Sequence, residues 1–104
     1  MKYIFEITIK DGCSEEDYIQ AWKNGSTIIQ KQEGAQGTKL YKKNGEEGKF
    51  IAIASWESKE SRDKAMENLK SIDAGVQKIL SKHREYGDIE ALGNFEEVAK
   101  VEPK

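Results

Sequence analysis

A chain of 104 residues that is 37% hydrophobic and carries nine aromatic side chains can bury one small core and little more. Its net charge of −2 comes from 17 basic and 19 acidic residues scattered in alternation, 15 of the basic ones lysine, which describes a solvated surface and excludes a nucleic-acid or membrane-binding footprint. Cys13 is the only cysteine, so no disulfide or cysteine zinc site can form within one chain.

In chain order, the opening MKYIFEITIKDG alternates apolar and polar residues over 2–10, which predicts a strand with Tyr3, Phe5, Ile7 and Ile9 on one face and Lys2, Ile4, Glu6 and Thr8 on the other. Glu6 and Lys10 interrupt it too early for a signal peptide or a membrane span, and a cytoplasmic protein is expected. Ser14, with Asp17 three residues later, reads as a helix N-cap with an acidic first turn. Tyr18, Ala21, Trp22, Gly25, Ile28 and Ile29 then fall on one helical arc, which Gly34 and Gly37 bring to an end. A strand over 38–43 and another over 49–56 flank Asn44-Gly45, a favoured hairpin turn, so the two should pair antiparallel.

Ser58 reads as a second N-cap with Glu60 in the first turn. The stripe Ala65, Met66, Leu69, Ile72, Val76, Ile79, Leu80 and His83 keeps helical phase, which predicts one long helix or two nearly collinear ones with Gly75 as the bend. YGDIEALGN should end the helix, leaving a weak fourth strand around 95–101. The order β-α-β-β-α-β is that of an α+β, ferredoxin-like fold with a four-stranded antiparallel sheet. A single domain over 1–104 is expected, its core about 1–101, with a short acidic tail.

The strand 50–56 is apolar on both faces: Phe50, Ala52, Ala54 and Trp56 point one way, Ile51 and Ile53 the other, joined by Ile4 and Tyr41. Helices cover one face of such a sheet, so the second apolar face predicts a homodimer through Ile4, Ile51 and Ile53. The alternative is a few tolerated surface isoleucines.

The stretch EGAQGTKLYKK, followed by a strand and then WESKES at a helix start, resembles the antibiotic biosynthesis monooxygenase family of the dimeric α/β-barrel superfamily over about residues 1–90. The resemblance implies two ferredoxin-like subunits with their sheets face to face, pairing into a dimeric α/β barrel. It also implies oxidation of quinols or other electron-rich aromatics without metal or flavin. Trp56 matches the cleft tryptophan of the family's W-x-S junction. The asparagine four positions earlier falls at Ala52 and the tyrosine six positions later at Arg62, so both polar contacts are altered. Haem-degrading relatives would need ligands or hydrogen-bonding groups where this chain has Ile7, Ala65 and Gly75, which disfavours haem.

The residues themselves frame an apolar pocket. Phe5, Tyr18, Trp22 and Trp56 would form its walls, and Gly25, Ala52 and Ala54 are small where bulk is usual. Gly25 is small either because a ligand fills the space or because the helix packs closely there. His83, the only histidine, is a candidate catalytic base toward a phenolic ligand, or else a histidine satisfied by carbonyls at a helix end. Arg62 is placed to meet an anionic ligand at the cleft mouth, or to pair with surface carboxylates. Cys13 has no evident partner and reads as a spacer. With one histidine and one cysteine, no metal site and no cofactor are expected. Two functions remain: a cofactor-independent monooxygenase acting on a small aromatic molecule, and a protein that binds such a molecule without turning it over.

Overall fold

The computed structural model describes residues 1–104. Strand β1 (Lys2–Ile9) is followed by helix α1 (Glu15–Ile29), strands β2 (Ala35–Lys42) and β3 (Lys49–Trp56), helices α2 (Lys59–Lys70) and α3 (Ala74–Ser81), a short 3-10 turn at Lys82–Glu85, and strand β4 (Gly87–Phe95). The strands form one antiparallel sheet in the order β2-β3-β1-β4, the ferredoxin-like arrangement that the element order predicts.

Both predicted caps are present. The Asp17 N–H donates to Ser14 Oγ at 3.0 Å, and the Ser61 N–H donates to Ser58 Oγ at 3.0 Å, each satisfying a donor that has no partner within its helix. The first turn of α1 also clamps the hairpin between β2 and β3. Glu15 accepts from the Gly48 N–H at 2.7 Å and pairs with Lys42 at 2.9 Å, and these contacts hold its carboxyl below the usual range. Gly45 takes the turn at φ +84, a conformation that a side chain would strain.

Two expectations are corrected. The fourth strand is Gly87–Phe95, and residues 96–104 have no regular structure. The glycines and polar residues of YGDIEALGN read locally as a turn, yet the segment forms an edge strand in which Ile89 pairs with Ile7, and the β1 backbone supplies the hydrogen bonds. A register shift between Ile4 and Phe5 accommodates the irregular segment. The second helical region breaks at 71–73, before Gly75. There the Asp73 carboxylate accepts from the Gly75 N–H at 2.9 Å and starts α3, a local side-chain bond that competes with continuing the helix.

The core lies between the sheet and α1. Ile7, Tyr18, Phe50 and Ala52 form a fully enclosed cluster, with Trp56, Ala65 and Leu69 buried further along. Tyr18 stacks on Phe50 at 6.0 Å between ring centres. Burying each such large side chain contributes about 1.5–3 kcal/mol. On the opposite face Ile4 lies across from Ile53 and Tyr41 across from Ile51; the isoleucines are half-buried and Tyr41 is 46% exposed. No helix is long and apolar enough to cross a membrane.

Candidate functional site

A cavity of about 360 Å³ opens between the helix-covered face of the sheet and the three helices. Its floor is laid by alternation: Tyr3 and Phe5 from β1, Thr38 from β2, Ala54 and Trp56 from β3, and Ile89 from β4. Ala54 sits in register between Tyr3 and Thr38, so the middle of the floor carries a methyl group where a larger side chain would fill the space. Trp22, Gly25 and Ile29 of α1 form one wall, and Arg62, Met66 and Leu69 of α2 form another. Leu80 of α3, with His83 and Arg84 of the turn after it, closes the end. The volume falls within the range of small-molecule sites, and the lining is mainly apolar. A second depression of about 440 Å³, around Glu6, Lys42, Glu46 and Lys49, is walled mostly by polar and charged side chains and lacks that character.

Of the residues that the sequence nominates, Phe5, Trp22, Gly25, Ala54, Trp56, Arg62 and His83 come together on this cavity. Tyr18 and Ala52 do not line it. Both are fully enclosed in the core cluster, so of the two strand alanines Ala52 makes room for packed side chains and Ala54 for open space. Ala52 therefore offers no side-chain contact to a ligand. Ile7 is packed in the same core, Ala65 is buried, and Gly75 lies at the start of α3.

Tyr18 instead supports the site from behind. Its ring lies 5.9 Å from that of His83, and its hydroxyl is buried without a hydrogen-bond partner. Burial pushes its phenol well above the ordinary range, so it stays protonated. The His83 ring makes no hydrogen bond, and the carbonyls at the helix end do not satisfy it. Burial, and secondarily the Arg84 charge, lower its pKa, so at neutral pH the imidazole is uncharged and keeps a lone pair for a proton.

The Arg62 guanidinium lies 3.7 Å above the centre of the Tyr3 ring, a cation–π contact that fixes it over the cavity. Its carboxylate neighbour is Asp63 at 3.9 Å, and Asp63 is itself held by Lys59 at 2.7 Å. The Gln30 side-chain carbonyl accepts from the Gly37 N–H at 2.7 Å, and the Gln77 amide donates to the Leu69 carbonyl, which ties α3 to α2. No group of three or more His, Cys, Asp or Glu side chains is placed to hold a metal ion.

Sequence reasoning missed Tyr3, Thr38, Gln30, Gln77 and Arg84 as lining residues. Tyr3 shares a strand face with Phe5 and was legible by alternation. Arg84 follows the only histidine and is one of two arginines, a rarity that would have marked it. Gln30 and Gln77 carry no local signal, because only the meeting of separate helices brings them to the cavity.

Residues 2–71 match the family model for antibiotic biosynthesis monooxygenase. Among curated proteins none matches the sequence. Solved structures resemble it closely in fold. SnoaB from Streptomyces nogalater, a cofactor-independent oxygenase, superposes with a TM-score of 0.78 at 12% identity, covering 97% of this chain and 96% of that one. At3g17210 from Arabidopsis thaliana gives 0.71 at 15% identity over 96% and 98% of the two chains. A conserved protein from Methanosarcina mazei gives 0.65 at 12% over 90% and 91%. At these identities the likeness is one of fold.

Proposed function

The chain belongs to the antibiotic biosynthesis monooxygenase family, and from that premise we propose that it is a cofactor-independent monooxygenase acting on a small electron-rich aromatic or quinol bound in the cavity. One observation carries the reading: both tryptophans and the only histidine of the chain line a single apolar space of ligand size. A quinol supplies both electrons itself. Dioxygen is reduced, one oxygen atom enters the product and the other leaves as water. The protein's part is to bind, desolvate and orient.

In this reading Phe5, Trp22 and Trp56 hold the flat ring, and Ala54 leaves room for it. Gly25 borders the same space. His83, uncharged and facing the cavity, accepts the phenolic proton, and the resulting anion is the species that reduces dioxygen. Arg62 stabilises the developing negative charge. Tyr18 and Ala52 act only by packing.

The same reading includes a homodimer through the face that carries Ile4, Ile51 and Ile53. It is supported by the cross-strand pairing of Ile4 with Ile53 and of Tyr41 with Ile51, an apolar patch on the side no helix covers, bordered by Glu6 opposite Ile51 and Lys39 opposite Ile53.

Dioxygen uptake with a panel of quinols tests the proposal. Uptake of one dioxygen per quinol, reduced at least tenfold by His83→Gln, is expected. Absence of uptake across the panel, with the same quinols quenching Trp22 and Trp56 fluorescence, would establish the second reading, a binding protein without turnover. That reading is favoured by Ala52, which stands where the family resemblance places an asparagine.

A further inference from the structure

Arginine is scarce in this chain and its placement is selective. The sequence has 15 lysines and two arginines, and both arginines line the cavity, accompanied by one lysine, Lys70. No Asp or Glu is among the lining residues, although acidic residues outnumber basic ones over the whole chain, 19 to 17. Lys70 is exposed and paired with Glu67 at 3.5 Å, so it is the two arginines that give the space a positive potential, and its low-dielectric walls focus that field.

The arginines are also free to bind. Arg62 is half-buried over Tyr3, with a side-chain exposure of 19% and its neighbouring carboxylate already held by a lysine. Arg84 stands exposed and takes part in none of the protein's ion pairs. A guanidinium presents a planar fork of N–H donors that matches a carboxylate and sheds water more readily than an ammonium. Gln77 donates to a backbone carbonyl, and Gln30 accepts from the Gly37 N–H while its side-chain amide nitrogen stays buried without a partner, so the lining offers one neutral unpaired donor beside the two charged guanidinium groups.

A simple quinol does not account for this. Phenolic groups with an ordinary pKa near 10 are neutral at pH 7, and one transient anion does not need two arginines. The geometry points to an aromatic acid as the ligand class: the apolar ring lies among Phe5, Trp22 and Trp56, and a carboxylate or equivalent fixed anion is received by Arg62 and Arg84. This deepens the proposed function, resting on it for the identity of the cavity as the substrate site. The same positive wall favours ionisation of a phenol on the bound ring.

The test compares 2-naphthoate with 2-naphthamide, two probes of one ring and nearly one size that differ in charge, by quenching of Trp22 and Trp56 fluorescence. The acid should bind about tenfold more tightly than the amide, and added salt should narrow the difference. Arg62→Gln and Arg84→Gln should each cut the preference severalfold, and the double variant should abolish it. Because Arg62 packs on Tyr3, circular dichroism checks that each variant is folded; Arg84→Gln at the exposed position decides if Arg62→Gln is not. Equal affinities, tighter binding of the amide, no binding of naphthoate at millimolar concentration, or a preference that survives the double substitution would overturn the assignment. Dioxygen uptake with 1,4-naphthohydroquinone separates the two proposals. A strong arginine-dependent preference without turnover removes the monooxygenase and leaves the anion site, and turnover without the preference does the reverse.

Discussion

Gly25 of α1 and Leu80 of α3 approach so closely that a methyl group on the glycine would rest 3.6 Å from the Leu80 Cα and 3.5 Å from the Ile79 carbonyl oxygen. Those are ordinary van der Waals distances, so the close contact is with α3, not the sheet, and it has room for a methyl. Gly25→Ala should therefore fold normally and gain stability, by up to about 1 kcal/mol, from the better helix propensity of alanine. The midpoint of a urea titration reads this; a fall of the midpoint would contradict it. A gain in stability does not by itself argue for a ligand, because the glycine meets a backbone as well as the cavity.

Gly87 behaves in the opposite way. Its added Cβ would sit 2.8 Å from Ile7 Cγ2 and 3.1 Å from the Tyr18 ring, both fully buried and unable to move aside. Gly87→Ala should lower stability by roughly 1–3 kcal/mol through overpacking. A midpoint equal to that of wild type would show that the core at β4 is looser than these distances require.

The Tyr18 hydroxyl is a buried polar group with no partner. Such a group bears its desolvation cost without a hydrogen bond in return, so Tyr18→Phe should stabilise the fold by on the order of 1 kcal/mol. Stacking on Phe50 and contact with His83 are kept by the phenylalanine ring. Clear destabilisation in thermal unfolding would mean that the hydroxyl has a partner, such as an ordered water.

Ile51 and Ile53 test the proposed dimer. Light scattering at micromolar concentration should give about twice the chain mass of 11.8 kDa for wild type. Replacing both isoleucines by Asp puts two charges into an apolar contact, at a cost of several kcal/mol, and should give the single-chain mass. A wild-type mass of one chain rules the dimer out.

His83 makes stability depend on pH in a defined window. Its pKa in the folded protein lies below its ordinary value of 6.5, chiefly through burial. Between the two values the unfolded chain binds a proton that the folded protein does not, so stability rises with pH through this window. The protein should be unaffected by this group above pH 6.5, lose stability as pH falls below it, and reach a floor once the folded-state pKa is passed. His83→Gln should flatten the profile in the window just below pH 6.5, removing a slope of at most one proton. An unchanged profile in the variant contradicts the burial of the imidazole.

Local information in the sequence determined much of this molecule. Alternation in 2–10 and 49–56, the caps at Ser14 and Ser58, and the Asn44-Gly45 turn are short-range features, each decided by a few adjacent residues, and all form as their chemistry dictates. Periodicity also brought Phe5, Trp22, Ala54 and Trp56 to one side. It could not distinguish Ala52 from Ala54, two residues apart on the same face, because one lies beneath Tyr18 and Phe50 and the other beneath the gap between helices. The strand at Gly87–Phe95 was hidden for a related reason: its glycines and polar residues oppose strand formation locally, and only pairing with β1 across some 80 residues of chain overrides them. Tertiary structure alone decided that Arg62 and Arg84, from separate helical segments, line one cavity free of carboxylates, since that depends on where the chain carries α3 after the break at Asp73. Propensity acts along the chain, whereas a cavity and its charge are set by which distant faces fail to touch.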